Sequence, residues 1–480
     1  MNFAGIILAV ILFPFLAHTQ DYTATNGSSF LGSLNVHNNP AAMVNSPFNW
    51  DLTLLGIQDK HATNAIGVRN YSLLSNPVNS EYLITNGRFR RFGDLNANIN
   101  LFNTRIAINK RNAIAFGVNI RSFATVKTSN YNFVDTIHRF GDFFKQNEET
   151  GILSMDMSTS SWGEFYASYG RTIIDNEFGR LNAGVTLKIN RGLSGAFASL
   201  SDGRFTTNRA LDPVTYNITS AALDFGYSSN FDRWDSARKF RDNSREFLSF
   251  TEGGGSFDIG VEYLVKLQSV PNINEDDDGY FDYNWKIGLA VLDIGYAQYH
   301  FGRYSTRARN PRTNATDLLM DRAFDSTISN LADLKDSLST IFENVGTYGG
   351  KFRVAHPTRL TLNVDKFITG AFYINADLPV NLTALSKNKG QAVKDLDLLT
   401  ITGRWETRKK GYYFPVYFNH RKQLWIGGAV RFGPLLFGLH NLGNIFSKKK
   451  MHRGGGYLAF VVTPGKITRD KADKRLDCYW

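Results

Sequence analysis

Leu95-Asn96-Ala97-Asn98-Ile99-Asn100-Leu101 puts four apolar side chains on one face of an extended chain and three asparagines on the other. Successive side chains of a strand point to opposite sides, so a period of two marks a strand. The pattern recurs. Leu181, Ala183, Val185, Leu187 and Ile189 alternate with Asn182, Gly184, Thr186, Lys188 and Asn190. Ile114, Phe116, Val118 and Ile120 alternate with Ala113, Ala115, Gly117 and Asn119, and Phe372, Ile374, Ala376 and Leu378 with Ala371, Tyr373, Asn375 and Asp377. One face of each segment is oily. The other carries Asn, Gly, Thr and Lys, which suits a wet lumen better than a dry interior.

Working outward, strands also read over 50–58, 62–72, 161–174, 216–229, 255–268, 284–300, 352–366, 398–408, 411–420, 423–432, 434–441 and 454–463. Many reach the ~9–11 residues that cross a bilayer at a tilt. Tight links such as Lys110-Arg111-Asn112 and Asp175 to Phe178 alternate with long ones such as 128–160. Between Phe231 and Asn284 that alternation breaks. The reading is an all-β transmembrane antiparallel barrel of about 14–16 strands over 50–463. A soluble propeller would show a fixed repeat, which is absent. A sandwich would have shorter strands and denser turns.

Composition agrees. Aromatics make up 14% of the 480 residues, with 37 Phe and 21 Tyr, yet mean hydropathy is below zero. At the N-terminus the apolar run Ile6 to Leu16 precedes Ala17-His18-Thr19, the layout of a signal peptide over 1–19. That run is too short for a spanning helix of ~20 residues. The expectation is export to the cell outer membrane. The one cysteine, Cys478, leaves an exported chain without an internal disulfide. It lies in a charged tail over 464–480.

Two stretches read as helical insertions. Ile328, Leu331, Leu334, Leu338 and Ile341 recur at three- and four-residue spacing within 316–343, and 232–248 places Trp234, Ala237, Phe240 and Phe247 among charged residues. Both are too charged to span lipid. They are expected to lie over one mouth of the barrel or to dock another envelope protein.

The polar stretch 20–49 contains Asn38-Asn39-Pro40-Ala41-Ala42-Met43 ahead of the first strand. This resembles the N-terminal hatch of FadL-type fatty-acid transporter barrels and of their Bacteroidota relatives, including PorV-like barrels of the type 9 secretion system. Lys286 to Gly295, Phe352 to Asp365 with His356-Pro357-Thr358, and Arg431 to Leu435 resemble an uncharacterised family of Bacteroidota outer-membrane barrels. The resemblance implies a 14-stranded barrel with residues 20–49 tucked inside. It further implies a hatch motif of Asn39, Pro40 and Ala41 gating a path for a hydrophobic ligand. The charged tail after Val462 departs from barrels that end on an aromatic-closed strand.

One constellation carries chemistry of its own. Asn274, Asp276, Asp278 and Asp282 stand at positions 1, 3, 5 and 9 of a calcium-type loop, with Gly279 at 6 and the Tyr280 carbonyl at 7. Position 12 is Trp285, so the bidentate Glu is missing, and Ca²⁺ binding competes with a solvated acidic turn. The net charge of +11 points, in an exported protein, to anionic headgroups such as lipopolysaccharide phosphates rather than nucleic acid. Arg88 to Arg91 and Lys448-Lys449-Lys450 are the candidate contacts, each also readable as a solvated loop. No nucleophile elbow and no histidine cluster at ligand spacing appears, so the chain reads as a non-enzyme. Two functions remain: a hatch-gated uptake barrel for a hydrophobic small molecule, or a non-transporting subunit or scaffold of an envelope or secretion complex.

Overall fold

The structure is a computed structural model that describes residues 22–464, apart from 73, 211–212, 236, 250, 268–282, 327, 384–390, 420 and 449. The expected signal peptide, the tail from 465 onward and the calcium-type loop residues 274–282 lie outside the described residues.

Fourteen antiparallel strands close into a ring. In chain order they are β1 Trp50–Thr63, β2 Gly87–Asn109, β3 Asn112–Phe133, β4 Leu153–Asp175, β5 Gly179–Asn208, β6 Glu252–Val265 and β7 Trp285–His300. The ring continues through β8 Arg359–Thr369, β9 Phe372–Asn381, β10 Leu399–Glu406, β11 Lys410–Phe418, β12 Gly428–Phe432, β13 Leu435–Leu439 and β14 Arg453–Val462. Pairing of β14 with β1, from Leu52 opposite Val462 to Ala62 opposite Arg453, completes the closure. Two expected strands are not ring members. Segment 62–72 divides between the end of β1 and a separate hairpin, Ile66–Arg69 with Glu81–Ile84. Segment 216–229 is a strand, Thr215–Tyr227, but with Thr306–Pro311 and Phe342–Thr347 it extends the sheet beyond the ring from the far end of β5.

The alternation turns its oily side outward. On β5, Leu187 and Ile189 are 65% and 72% exposed, while Asn182 and Thr186 are 0% and 1% exposed. Phe372, Ile374 and Leu378 are likewise exposed, with Tyr373, Asn375 and Asp377 buried. On β2 a bulge between Asn100 and Phe102 leaves both Leu101 and Phe102 facing out and returns Asn103 and Arg105 to the interior. Uncovered apolar side chains around a whole ring have one stable environment, the acyl tails of a bilayer. No helix among the described residues is long and apolar enough to cross a membrane, as a barrel requires none. Ile259 sits in this belt between Val185 and Val291. Ile259→Arg is expected to cost about 2–4 kcal/mol of folding stability near the bilayer midplane. Urea titration in vesicles checks this, and a midpoint equal to the parent's would count against the lipid-facing assignment.

The tight links Asn109 to Asn112, Asp175 to Gly179, Thr369 to Phe372, Glu406 to Lys410 and Phe432 to Leu435 share one end with the start of β1 and the end of β14. The link from Val265 to Trp285 is long yet lies at this same end, which is where the short–long alternation broke. Long connections gather at the opposite mouth. Among the described residues they carry five α-helices: α1 Phe140–Gln146, α2 Phe240–Ser249, α3 Asp317–Ala323, α4 Leu331–Ile341 and the single turn α5 Gly443–Phe446. The single insertion expected over 316–343 is two helices. The Asn330 side chain accepts from the Ala332 and Asp333 amides at 2.8 and 3.1 Å and starts a new helix. The insertion expected over 232–248 opens on the end of a 3-10 helix, Ser229–Arg233, and becomes α-helical from Phe240.

Candidate functional site

Residues 22–48 run inside the ring, and all but Gly27, Asn38 and Ala42 are buried. The segment has little regular structure, so its carbonyls need partners from the wall. Inward-pointing cations supply them. Arg105 donates to the Met43 and Phe48 carbonyls at 2.7 and 2.6 Å, Lys286 to Gly27 at 2.6 Å, and Arg404 to Asn26 at 2.8 Å. Ser28 donates to Glu406 at 2.6 Å, Tyr22 to Asn100 at 3.0 Å, and Asn182 to Asn45 at 2.8 Å. The partners sit on β2, β5, β7 and β10, so the segment is held from around the ring.

Asn39-Pro40-Ala41 forms a corner. The Asn39 side chain accepts from the Ala41 amide at 2.9 Å and donates to the Val261 carbonyl at 3.0 Å. The corner rests on wall glycines. A Cβ on Gly184 would stand 2.4–2.6 Å from Pro40 and Ala41 backbone atoms, and one on Gly260 2.2 Å from the Asn39 side-chain oxygen. The space beside Asn39 is a polar cavity of about 30 Å³, lined by Asn26, Asn35, Asn38, Glu262, Lys286 and other polar residues.

Toward the long-loop mouth lies a layer of buried charge centred on Asp293. Lys188 donates to it at 2.7 Å, Arg121 at 2.9 Å and Arg359 at 2.9 Å. Lys188 also pairs with Asp258 at 2.8 Å, and Glu164 accepts from Trp162 at 3.0 Å and Asn119 at 3.1 Å. Asp293 has φ 59° and sits where the β6–β7 register slips between Val291 and Ile294. A left-handed residue on a bulge re-aims its side chain, here onto three cations from β3, β5 and β8. Against this layer, Phe123, Trp162 and His356 stack in parallel, with centroids 5.3 and 4.1 Å apart. Both ring nitrogens of fully buried His356 lack a hydrogen-bond partner. The polar faces read from sequence therefore meet protein, and charge pairs with charge across the lumen.

At the long-loop mouth a cavity of about 420 Å³ opens between β3, α1 and β4. Tyr131, Phe133, Ile137, Phe140, Phe143 and Met155 line it, with His138 and Arg139. Aromatic contacts hold α1 in place: Phe144 lies 4.6 Å from Phe205 and Phe140 6.1 Å from Phe324. Tyr216 donates to Glu148 at 2.8 Å. Burial first, and then that carboxylate, push its phenol up to about 12, so it remains a donor.

Of the residues expected to meet lipid phosphates, Arg91 is buried. It lies 4.4 Å from the Phe89 and Tyr131 ring centroids and donates to the Tyr131, Thr85 and Gly87 carbonyls. Arg88 and Lys448 are exposed, Lys450 donates to Thr85, and Lys449 lies outside the described residues. Sequence reasoning singled out neither Asp293 nor the Trp162–His356 stack. Asp293 lies in Leu292-Asp293-Ile294, where a lone carboxylate amid β-branched and apolar residues was the available signal.

Solved structures similar to this chain include a TodX monoaromatic hydrocarbon channel (a deltaS2S3 mutant), 8% identical with a TM-score of 0.37 over 88% of this chain and 91% of that one. A FadL homologue of Pseudomonas aeruginosa is 10% identical with a TM-score of 0.25, over 93% and 97% of the two chains. A CymD monoaromatic hydrocarbon channel is 9% identical with a TM-score of 0.22, over 91% and 94%. No curated protein matches the chain. A family model does match, over residues 40–440, from the proline of the luminal corner to a buried histidine of the barrel wall: the chain belongs to the family of unknown function DUF5723.

Proposed function

We infer that this protein is an outer-membrane uptake barrel for a hydrophobic small molecule. The molecule is captured in the aromatic cleft at the long-loop mouth, and residues 22–48 act as a gate. The observation that carries this reading is the cleft itself. A 420 Å³ concavity walled by five aromatic or aliphatic side chains of 131–143 and by Met155 is the size and character of a small-molecule site. The gate role rests on the manner of attachment. The segment is held by hydrogen bonds and glycine contacts to the wall, with no covalent tether along its length. Phe143→Asp places a charge in the cleft and is expected to lower affinity for a hydrophobic fluorescent probe at least about ten-fold, since burying an aromatic side chain contributes roughly 1.5–3 kcal/mol. Binding to the purified barrel measures this. An unchanged affinity, with the variant still migrating as a heat-shiftable folded band, would remove the cleft from the function.

A second reading, a non-transporting subunit of an envelope complex, is favoured by a different observation. The cavity behind Asn39-Pro40-Ala41 is small and polar rather than a continuous apolar path. Recovery of the barrel in fixed ratio with another envelope protein, together with no probe binding, would select it.

A further inference from the structure

We propose that the lumen contains a second closure, in series with residues 22–48, formed by residues 391–398 and the ion pairs they complete. Displacing the N-terminal segment alone leaves the barrel shut to ions.

Residues 391–398 follow β9 and precede β10, at the long-loop mouth, and they turn inward. Val393, Leu396 and Leu398 are 0%, 3% and 1% exposed. Their partners come from widely separated parts of the ring. Val393 clusters with Phe123, Trp162 and Tyr299 of β3, β4 and β7. Leu396 and Leu398 cluster with Ala62 of β1, Phe92 of β2, Tyr417 of β11 and Trp425. The backbone is pinned on both sides: Ala355 donates to Gln391 at 2.9 Å, Asn381 to Asp395 at 2.7 Å, and the Lys394 amide to Thr125 at 3.3 Å. A segment that touches both β3 and β11 crosses the lumen.

Its charge completes a continuous chain. Asp395 pairs with Lys60 of β1 at 3.1 Å and with Arg359 of β8 at 3.4 Å, and it accepts from Asn96 of β2. Arg359 reaches Asp293, which holds Arg121 and Lys188. Ion pairs thus run from β1 through the inward segment to β8, β7, β5 and β3. Every member is 5% exposed or less, so none is a solvated surface pair. Breaking one such partnership strands a charge in a dry interior, which makes the layer a cooperative barrier.

The two closures stand at different levels on three strands and meet on two others: Thr361 of β8, two residues from Arg359, donates to the Asn38 carbonyl at 3.5 Å, and Tyr417 of β11, packed with Leu396 and Leu398, accepts from Thr23 at 3.4 Å. On β5, β6 and β7 the N-terminal segment engages Asn182, Glu262 and Lys286, whereas the charge layer uses Lys188, Asp258 and Asp293. Those positions are separated by ~13–23 Å along the strands at ~3.3 Å per residue. Closure in series means that either barrier suffices. The inference is indifferent to the cargo, because its readout is ion flow.

The test is single-channel conductance in planar bilayers for four proteins: the full chain, a deletion of 24–45, a replacement of 391–398 by a Gly/Ser linker of equal length, and the combination. The first three are expected to conduct little, and the combination at least ten-fold more. A folded deletion of 24–45 that conducts as well as the combination would overturn the proposal, as would a silent combination. Should the linker protein lose its heat-shiftable band, Leu396→Asp with Leu398→Asp in the 24–45 deletion carries the same comparison, because two carboxylates in the apolar seat between Phe92, Tyr417 and Trp425 expel the segment while leaving the barrel strands intact. Probe binding to the cleft, measured alongside, reports on the uptake reading separately and is expected to be unaffected.

Discussion

Asp293→Asn is expected to destabilise the folded barrel by about 3–5 kcal/mol, the range for removing one partner of a buried ion pair. The substitution isolates charge. Asparagine matches aspartate in shape and tolerates the left-handed backbone at φ 59°, so neither volume nor strain changes. What changes is the field at three cations. Arg121, Lys188 and Arg359 all donate to this carboxylate, and each is 3% exposed or less. Asp258, Glu164 and Asp395 remain nearby and limit the loss, leaving four cations (Lys60, Arg121, Lys188, Arg359) facing three carboxylates. The urea midpoint in vesicles reads the effect. Adding Arg121→Met to Asp293→Asn is expected to recover part of it, because the cation whose remaining carboxylate contact is the longest, Arg121 to Glu164 at 3.6 Å against 2.8 Å for Lys188–Asp258 and 3.4 Å for Arg359–Asp395, is then gone. Non-additivity of that sign is the signature of a shared network. A midpoint for Asp293→Asn indistinguishable from the parent's would mean that the layer is hydrated and soft.

The second large effect concerns the seat of the N-terminal segment. Gly184→Val puts a side chain where Pro40 and Ala41 backbone atoms stand 2.4–2.6 Å from the new Cβ. Backbone cannot swing aside as a side-chain tip can, so the corner must lift, at a cost of roughly 1–3 kcal/mol. The segment then spends more time undocked. With Cys478→Ser removing the one native thiol, Ser33→Cys reports this, since Ser33 is fully buried in the docked state. Labelling by a soluble thiol reagent is expected to run at least about ten-fold faster with Gly184→Val, the factor that ~1.4 kcal/mol of weakened docking produces. Ala183→Val, one residue along and facing lipid, is the control expected to leave the rate unchanged. Equal rates in all three backgrounds would show that the glycine wall is not what seats the corner.

These effects trace to interactions of very different range, and that difference explains what could be read in the chain before its structure. A strand's two-residue period is set by its own backbone, so Asn96, Asn98 and Asn100 on one side and Leu95, Ile99 and Leu101 on the other identify face and environment with no knowledge of neighbours. The same locality limits it. Segments 62–72 and 216–229 carry the pattern as well as any ring strand, and only pairing shows that one is divided with a side hairpin and the other extends the sheet past the ring. The bulges at Leu101 and Asp293 leave no periodic trace, because one added residue looks like noise in an alternation.

Within the lumen the division is sharper. Alternation put Lys188 and Asn182 on the inner face. Their partners, Asp293 and Asn45, lie more than a hundred residues away, and ring closure alone brings them together. The inward turn of 391–398 has no local cause in its sequence, since Val393, Leu396 and Leu398 bury against strands from opposite sides of the barrel. Local stereochemistry determined strands, faces and the need for a lipid surround. Closure of the cylinder, a long-range event that fixes which inward side chains face one another, decided how its interior is filled and where it is sealed.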